Sequence, residues 1–341
     1  MFQFDNIPTP TLGLTGLDGV LSEEEKAIQE VTHRFAKEVM RPIGEKLDKM
    51  TPEQVIAPES PLWIYLQKLK DSGIVDLGAI AGMDNEQKAR LMPIIFEELG
   101  WGDSGLAVCG LAASFPAFAA LNSGNSELIE KFGDLIGCWI GTQPDKGSDV
   151  IDMRAKEVVA GSHQSKGNLT ARVDGEELVI NGQSSAWVSS APIAQCALLN
   201  CQCDFGDGFF KDDGRSNFVV ALVPFDIPGI SKGKPLDKFG QRALPQGEVY
   251  FDNVRLSKEW MVVEPKDYNL GFEVQLSYAN GGMASLFTGV ARAAFELALD
   301  YAHERKQGGV PIIEHQDVQR RLFDMFRKVE ISRAMAQRVN E

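Results

Sequence analysis

The chain is short of histidine, with four in 341 residues, and its five cysteines are scattered rather than clustered. A zinc site needs a second group of ligands, and the histidine nearest to Cys196, Cys201 and Cys203 is His163, well away in sequence. The cysteines therefore read as structural, and no metal is expected. A Gly-x-Ser-x-Gly elbow is missing, which removes the serine-hydrolase class. Lys146-Gly147-Ser148 has the wrong order for a phosphate-binding P-loop. Positive charge is scarce too: 34 Lys and Arg against 48 Asp and Glu leave a net charge of −14. Such a balance argues against nucleic acid or an anionic membrane as partner. No apolar run is expected to reach the roughly 18 residues of a membrane helix. The N-terminus has neither a basic stretch before an apolar run nor an Arg-rich transit pattern, so the expected location is the cytoplasm.

What is present is an ordinary globular composition, 44% hydrophobic and 24% charged, long enough for two or three packed units. Residues 21–135 read as helices. Ser22 and Glu25 form a capping box opening a helix over 23–39, which Pro42 helps to end. Segments 61–70, 86–99 and 104–122 are periodic in the same sense. Over 135–262 the pattern changes to short Val-, Ile-, Leu- and Phe-rich runs broken by turns. Leu178, Val179 and Ile180 lead into Asn181-Gly182, a tight-turn signal, with Trp187 and Val188 on the strand that follows. Strands are also expected at 218–223, 248–251 and 254–256, with a surface excursion over 203–217 and a flexible loop over 160–167. From about Tyr268 the pattern is helical again. Residues 289–305 carry Val290, Ala294, Leu297 and Tyr301 on one stripe, and Leu322, Met325 and Val329 follow on the next helix.

Two stretches carry the chemistry. Thr142-Gln143-Pro144, with Gly147-Ser148-Asp149, is a turn offering hydroxyls and free backbone N–H groups after a short apolar run. Trp187-Val188-Ser189-Ser190 sets a large flat side chain beside hydroxyls, an arrangement suited to packing against a planar cofactor. Together they resemble the middle-domain motifs of the acyl-CoA dehydrogenases, flavoproteins that oxidise acyl thioesters between the α and β carbons. The family's turn reads Thr-Glu-Pro-x-x-Gly-Ser-Asp, and its strand reads Ile-Asn-Gly followed by Trp-Ile-Thr-Asn. Phe96-Glu97-Glu98-Leu99-Gly100, Gly240-Gln241-Arg242-Ala243 and Glu304-Arg305-Lys306-Gln307 with His315-Gln316-Asp317 resemble further family markers.

The resemblance implies a multidomain α+β fold: an N-terminal helical domain over 1–134, a central β-barrel over 135–264, and a partial C-terminal helical bundle over 265–341. It implies FAD held by Thr142, Trp187 and Ser189, with Arg305 and Gln316 reaching the FAD of a neighbouring subunit in a homo- or hetero-oligomer. Ser148 would lie along the CoA thioester of an acyl-CoA substrate, and an electron-transfer flavoprotein or similar acceptor would take the electrons. The carboxylate that most members use as base lies past the last residue, Glu341. A minority place it just ahead of an Arg on the helix before Gly289, where this chain reads Tyr278-Ala279-Asn280-Gly281-Gly282-Met283-Ala284-Ser285. Glu273 is the nearest carboxylate and sits too early, so no base is assigned. Three readings stay open on the sequence: an acyl-CoA dehydrogenase, a non-catalytic partner subunit of a heteromeric one, and a flavin oxidase or monooxygenase on the same fold.

Overall fold

The computed structural model describes residues 21–147, 166–212, 216–263 and 268–340. Its elements run α1 (Glu23–Phe35), a π-helical turn (Ala36–Met40), α2 (Arg41–Leu47), α3 (Pro52–Ile56), α4 (Pro61–Ser72), α5 (Leu77–Gly82), α6 (Asn85–Gly102), α7 (Ser104–Ser123) and α8 (Ser126–Phe132). Strands follow: β1 (Gly137–Ile140), β2 (Thr170–Asp174), β3 (Glu177–Gln183), β4 (Val188–Ser189), β5 (Cys196–Asp204), β6 (Phe218–Pro224), β7 (Ile230–Lys232), β8 (Gln246–Gly247), β9 (Val249–Ser257) and β10 (Met261–Val263). The chain closes with α9 (Tyr268–Glu304), a hairpin of β11 (Lys306–Gln307) and β12 (Val310–Pro311), and α10 (Gln316–Asn340). The element order is that of a multidomain α+β protein. Ser148 and most of the 160–167 segment lie outside the described residues.

Several helix signals act as expected. The Ser22 hydroxyl accepts from the Glu25 backbone while the Glu25 carboxylate accepts from Ser22 N–H, a complete capping box at α1. Pro42, however, does not end the helical run. The π turn before it carries the chain past the proline, with Arg41 N–H bonded to the carbonyl of Ala36, and Pro42 then occupies the opening turn of α2, where no donor is needed.

The residues cluster into two compact units. The first comprises Met1–Pro42, Met83–Ala107 and Ala279–Glu341, and is helical over its described part except for the short β11–β12 hairpin. Here α6 and α9 touch backbone to backbone. A Cβ on Gly100 would stand 1.9 Å from the carbonyl oxygen of Leu286, and one on Gly289 would stand 1.9 Å from that of Glu97. Only glycine lets the helices approach so closely. The same contact zone buries an ionic network. Arg292 pairs with Glu97 at 2.8 Å and with Glu98, Arg333 pairs with Glu97 at 2.8 Å and Glu330 at 2.7 Å, and His33 Nδ1 lies 2.9 Å from Glu98. Burial pushes the Glu98 carboxyl up, but the hydrogen bond from His33 and the charge of Arg292 outweigh it and hold the group below its usual range. Buried charges survive because each has a partner.

In the same unit α9 and α10 pack through Phe295, Ala302, Leu322 and Val329, with Met325 against them. The stripe expected from the sequence is turned the other way: Leu297 is 60% and Tyr301 58% exposed. Between Ala291 and Ala302 alanine, leucine and aromatic residues fall on more than one side of the helix, and the partner helix selects the face that is buried.

The second unit comprises Ile43–Gly82 and Val108–Tyr278. Its centre is an eight-stranded sheet in the order β10-β6-β5-β2-β3-β9-β7, with β1 paired in parallel to β5. β4 and β8 form a separate two-stranded ribbon. Among the described residues the long sheet has two ends, β10 and β7. Ile180, Leu199, Cys201, Val219, Val249 and Val254 lie fully buried in its core. Strand β5 is buried over nearly its whole length, the pattern of a strand covered on both faces.

Asn181-Gly182 makes no turn, contrary to the sequence reading. Both residues stay inside β3, where the register against β9 shifts between Ile180 and Gly182, and Asn181 Oδ1 accepts from the backbone of Asn253 across the bulge. Gly182 has φ of +118°, and a Cβ there would stand 2.2 Å from the carbonyl of Asn168. The same Asn-Gly chemistry that favours a hairpin also favours a bulge, and β9 already supplied a partner strand. The β2–β3 turn falls earlier, between the paired residues Asp174 and Glu177.

The expectation for apolar runs also needs correcting. Ser104–Ser123 and Gly271–Glu304 are long and apolar enough on average to cross a membrane, because glycine, alanine and serine interrupt the runs without making them polar. Within the protein, 61% of the most apolar window of the first and 44% of the second is buried, so the first is mainly a core helix.

Candidate functional site

The second unit brings Thr142, Ser185, Trp187 and Ser189 onto one short stretch of surface structure. Thr142 follows β1, whose parallel pairing with β5 fixes the strand's exit. The turn after it is held at both ends. Gln143 N–H donates to the Lys146 carbonyl at 2.7 Å, and the buried Gln143 amide clamps Leu169 by accepting from its N–H at 2.7 Å and donating to its carbonyl at 3.1 Å. Thr142 stays exposed, with its hydroxyl 2.7 Å from that of Ser185 and its carbonyl accepting from Ser185 N–H at 2.9 Å. So the turn and the Trp187 segment are tied directly, through a residue to which the sequence reading gave no role.

Trp187 sits in the turn just before β4 rather than on a strand. Its indole is 64% exposed. That separates two meanings of a tryptophan in a β-rich domain, because a core aromatic would be covered by the sheet and this one is not. The backbone behind it is rigid. Val188 pairs with Gly247 and Ser189 with Gln246, while Ser190, at a φ of +64°, donates its N–H to the Pro245 carbonyl and its hydroxyl to that of Cys109. An open aromatic face beside the hydroxyls of Thr142, Ser185 and Ser189 can stack on a flat ring while offering donors to its polar edge.

Gln246 and Lys238 complete the surroundings. Gln246 Nε2 donates to Ser189 Oγ at 3.2 Å and to the Trp187 carbonyl at 3.1 Å. Its Oε1 accepts from Lys238 Nζ at 2.8 Å. Neither was singled out in the sequence, and neither had a local signal, since the contact depends on which residue of β8 faces Ser189. Burial lowers the pKa of Lys238 to about 8, opposed by the neighbouring Cys109 thiol.

Arg305 and Gln316 belong to the first unit. Arg305 directly follows α9, its N–H bonded to the Tyr301 carbonyl and its carbonyl accepting from Ile312, so the β11–β12 hairpin folds back beside it. Gln316 opens α10. Both are exposed. Ser148 falls outside the described residues. The five cysteines are buried free thiols, and burial pushes Cys196 and Cys203 up to about 12, which leaves them unreactive near neutral pH.

Comparison with known proteins bears on this arrangement. Residues 138–254 match the model of the acyl-CoA dehydrogenase middle domain, and residues 270–341 match that of the C-terminal domain. Benzylmalonyl-CoA dehydrogenase of Aromatoleum aromaticum is 31% identical over 335 residues, which span 94% of this chain and 79% of that protein. The chain belongs to the acyl-CoA dehydrogenase family.

Members of this family are oxidoreductases acting on CH–CH bonds. Glutaryl-CoA dehydrogenase of Desulfococcus multivorans is 28% identical over 94% of this chain and 78% of its own length. The fold agrees: a glutaryl-CoA dehydrogenase from Mycobacterium smegmatis, solved with FADH2, superposes with a TM-score of 0.75 over 96% of this chain and 78% of that one, at 22% identity. The middle-domain match encloses Thr142, Trp187 and Ser189, and the C-terminal match encloses Arg305 and Gln316.

Proposed function

We propose that this protein is an FAD-dependent dehydrogenase that introduces a double bond between the α and β carbons of an acyl-CoA thioester. One observation carries the reading: Trp187 stands open to solvent, on a backbone pinned by β4 and β8, on the same short segment as the Ser185 and Ser189 hydroxyls, with Thr142 bonded to Ser185. Leaving a large indole uncovered is unfavourable unless something flat covers it in the working protein. FAD is its cofactor, and when bound it would accept the hydride that leaves the β-carbon with both electrons of the reaction. The residues fit that group. Trp187 packs on the ring face, Ser189 and Thr142 offer hydrogen bonds at its edge, and Ser185 holds Thr142 in place. The guanidinium of Arg305 suits a diphosphate, and Gln316 an adenosine, on a neighbouring subunit.

The substrate is an acyl-CoA, with Ser148 along its thioester. Hydrogen bonds to the thioester carbonyl make the α-proton easier to remove as charge develops on oxygen. No residue of this chain is assigned as the base. The domain plan 1–134, 135–264 and 265–341, with the central sheet curled toward a barrel, belongs to the same reading. So do a cytoplasmic location, an electron-transfer flavoprotein as acceptor, and assembly into an oligomer. The exposed Leu297, Tyr301, Phe323, Ile331 and Met335 support that assembly.

The test is the absorption spectrum of the purified protein, before and after anaerobic addition of butyryl-, glutaryl- and benzylmalonyl-CoA. A flavin spectrum that bleaches with one of these thioesters is expected. Protein that holds FAD but is not reduced by any acyl-CoA, while reacting with oxygen after chemical reduction, would favour the oxidase reading instead.

A further inference from the structure

Lys238, Gln246 and Ser189 form a hydrogen-bonded chain whose polarity is set by the groups at either side of the Gln246 amide. Lys238 Nζ donates to the Leu244 carbonyl at 2.6 Å and to Gln246 Oε1 at 2.8 Å. An ammonium has hydrogens to give and no lone pair to receive with, so the oxygen of the Gln246 amide must face it. The amide nitrogen is thereby turned the other way, where its two hydrogens serve the Trp187 carbonyl at 3.1 Å and Ser189 Oγ at 3.2 Å. A serine oxygen that receives a hydrogen bond from behind keeps its own hydrogen for another acceptor.

We propose that Lys238 is a positioning residue of the flavin site, which through Gln246 holds the Ser189 hydroxyl as a hydrogen-bond donor toward the flavin edge. The inference rests on Ser189 being a flavin contact, as argued above. A donor held at the edge of a ring that becomes more negative on reduction favours the reduced form, and pre-orienting it removes the cost of turning it during the reaction. Without a charge at Lys238 the Gln246 amide loses its anchor on the oxygen side and is kept in this orientation by the Trp187 carbonyl alone, so the Ser189 hydroxyl is held less firmly as a donor toward the flavin.

The arrangement makes the site sensitive to mild alkali. Lys238 is half-buried on the loop before β8, and burial brings its proton loss down to about 8. The charged and titratable groups around it are the Cys109 thiol on α7 and, on its own loop, the ion pair of Arg242 with Asp237 at 2.9 Å. Arg242 also donates to the Lys238 carbonyl. Lys238, whose proton loss burial brings down, is the group expected to change.

The experiment uses the FAD-loaded protein, recording flavin absorption and midpoint potential from pH 6 to 10 for the natural chain, Lys238→Met, Lys238→Arg, Gln246→Leu and Ser189→Ala. The natural protein is expected to show a step near pH 8, across which the preference for reduced over oxidised flavin falls roughly fivefold, the worth of one net hydrogen bond. That is a shift of about 20 mV for a two-electron couple. Lys238→Arg, which stays charged, should keep the low-pH behaviour throughout. Lys238→Met and Gln246→Leu should show the high-pH behaviour at every pH. A step that persists in Lys238→Met, or a Lys238→Met protein with an altered melting temperature but natural flavin spectrum and potential, overturns the proposal. If Ser189→Ala is itself indistinguishable from the natural protein, it is the flavin contact of Ser189 that fails. If Ser189→Ala shifts the potential and Lys238→Met does not, the relay alone is wrong. Protein that takes up no FAD overturns both.

Discussion

Replacing Trp187 by alanine separates cofactor binding from folding more cleanly than any other single change. Because the indole is 64% exposed in the protein alone, its removal strips little packing from the sheet. Surface substitutions of this kind usually cost within about 0.5 kcal/mol. For a chain of this size that is a melting shift of about 2 °C or less. Bound FAD changes the sum. Aromatic side chains expose on the order of 150–250 Å², so one face of the indole and the ring it covers together hide about 120–160 Å². At about 25 cal/mol per Å² this is worth about 3–4 kcal/mol. Since about 1.4 kcal/mol is a factor of ten in affinity, FAD binding should weaken at least a hundredfold. The assay is flavin content per folded protein, with melting temperature measured in the absence and presence of added FAD. A Trp187→Ala protein that keeps full flavin content and an unchanged spectrum would refute the stacking argument. So would one that loses 10 °C of stability without FAD, because that would make Trp187 a core residue after all.

Arg305→Ala should weaken FAD binding about tenfold to a hundredfold, the range for a hydrogen bond to a charged group, while leaving the apo melting temperature unchanged. Titration of the apoprotein with FAD checks it. Gly289→Ala sets a methyl group where only 1.9 Å separates it from the Glu97 carbonyl, so the helices must part, and thermal unfolding should show a loss of about 1–3 kcal/mol or more. Arg292→Met leaves Glu97 and Glu98 short of a buried cation and should cost about 3 kcal/mol in urea unfolding. Acid provides a related check. The Glu98 carboxyl is held below its ordinary value of 4.5, so the folded state favours the ionised form. Its contribution to stability is present above that value and is lost as the pH falls below it, steeply in the natural chain and less so in Glu98→Gln. Light scattering at micromolar concentration should find an assembly larger than one chain, since Leu297, Tyr301, Phe323 and Met335 are exposed; a well-behaved monomer would remove that support.

The sequence by itself determined what is decided within a few residues. The Ser22–Glu25 capping box, the periodic helices, the change to short β-forming runs after 135 and the Thr142 and Trp187 motifs all depend on local chemistry, and all were readable. What depends on partners far along the chain was not. Asn181-Gly182 reads as a tight turn from local chemistry, and the pairing of β3 with β9 made it a bulge instead. The apolar stripe on α9 could not be assigned a face until α10 packed against Phe295 and Ala302. Glu97 and Glu98 are visible in the sequence only as part of a motif, and it is Arg292 and Arg333, some two hundred positions later, that bury them as pairs. Trp187 reads from the sequence as a cofactor contact with a core aromatic as the alternative, and its exposure in the fold argues against the core. Lys238, Gln246 and Ser189 carry no shared motif, because their link is one of register between two short strands. A hydrogen bond reaches about 3 Å whatever the distance along the chain, so Lys238, Gln246 and Ser189 were joined by the tertiary structure alone.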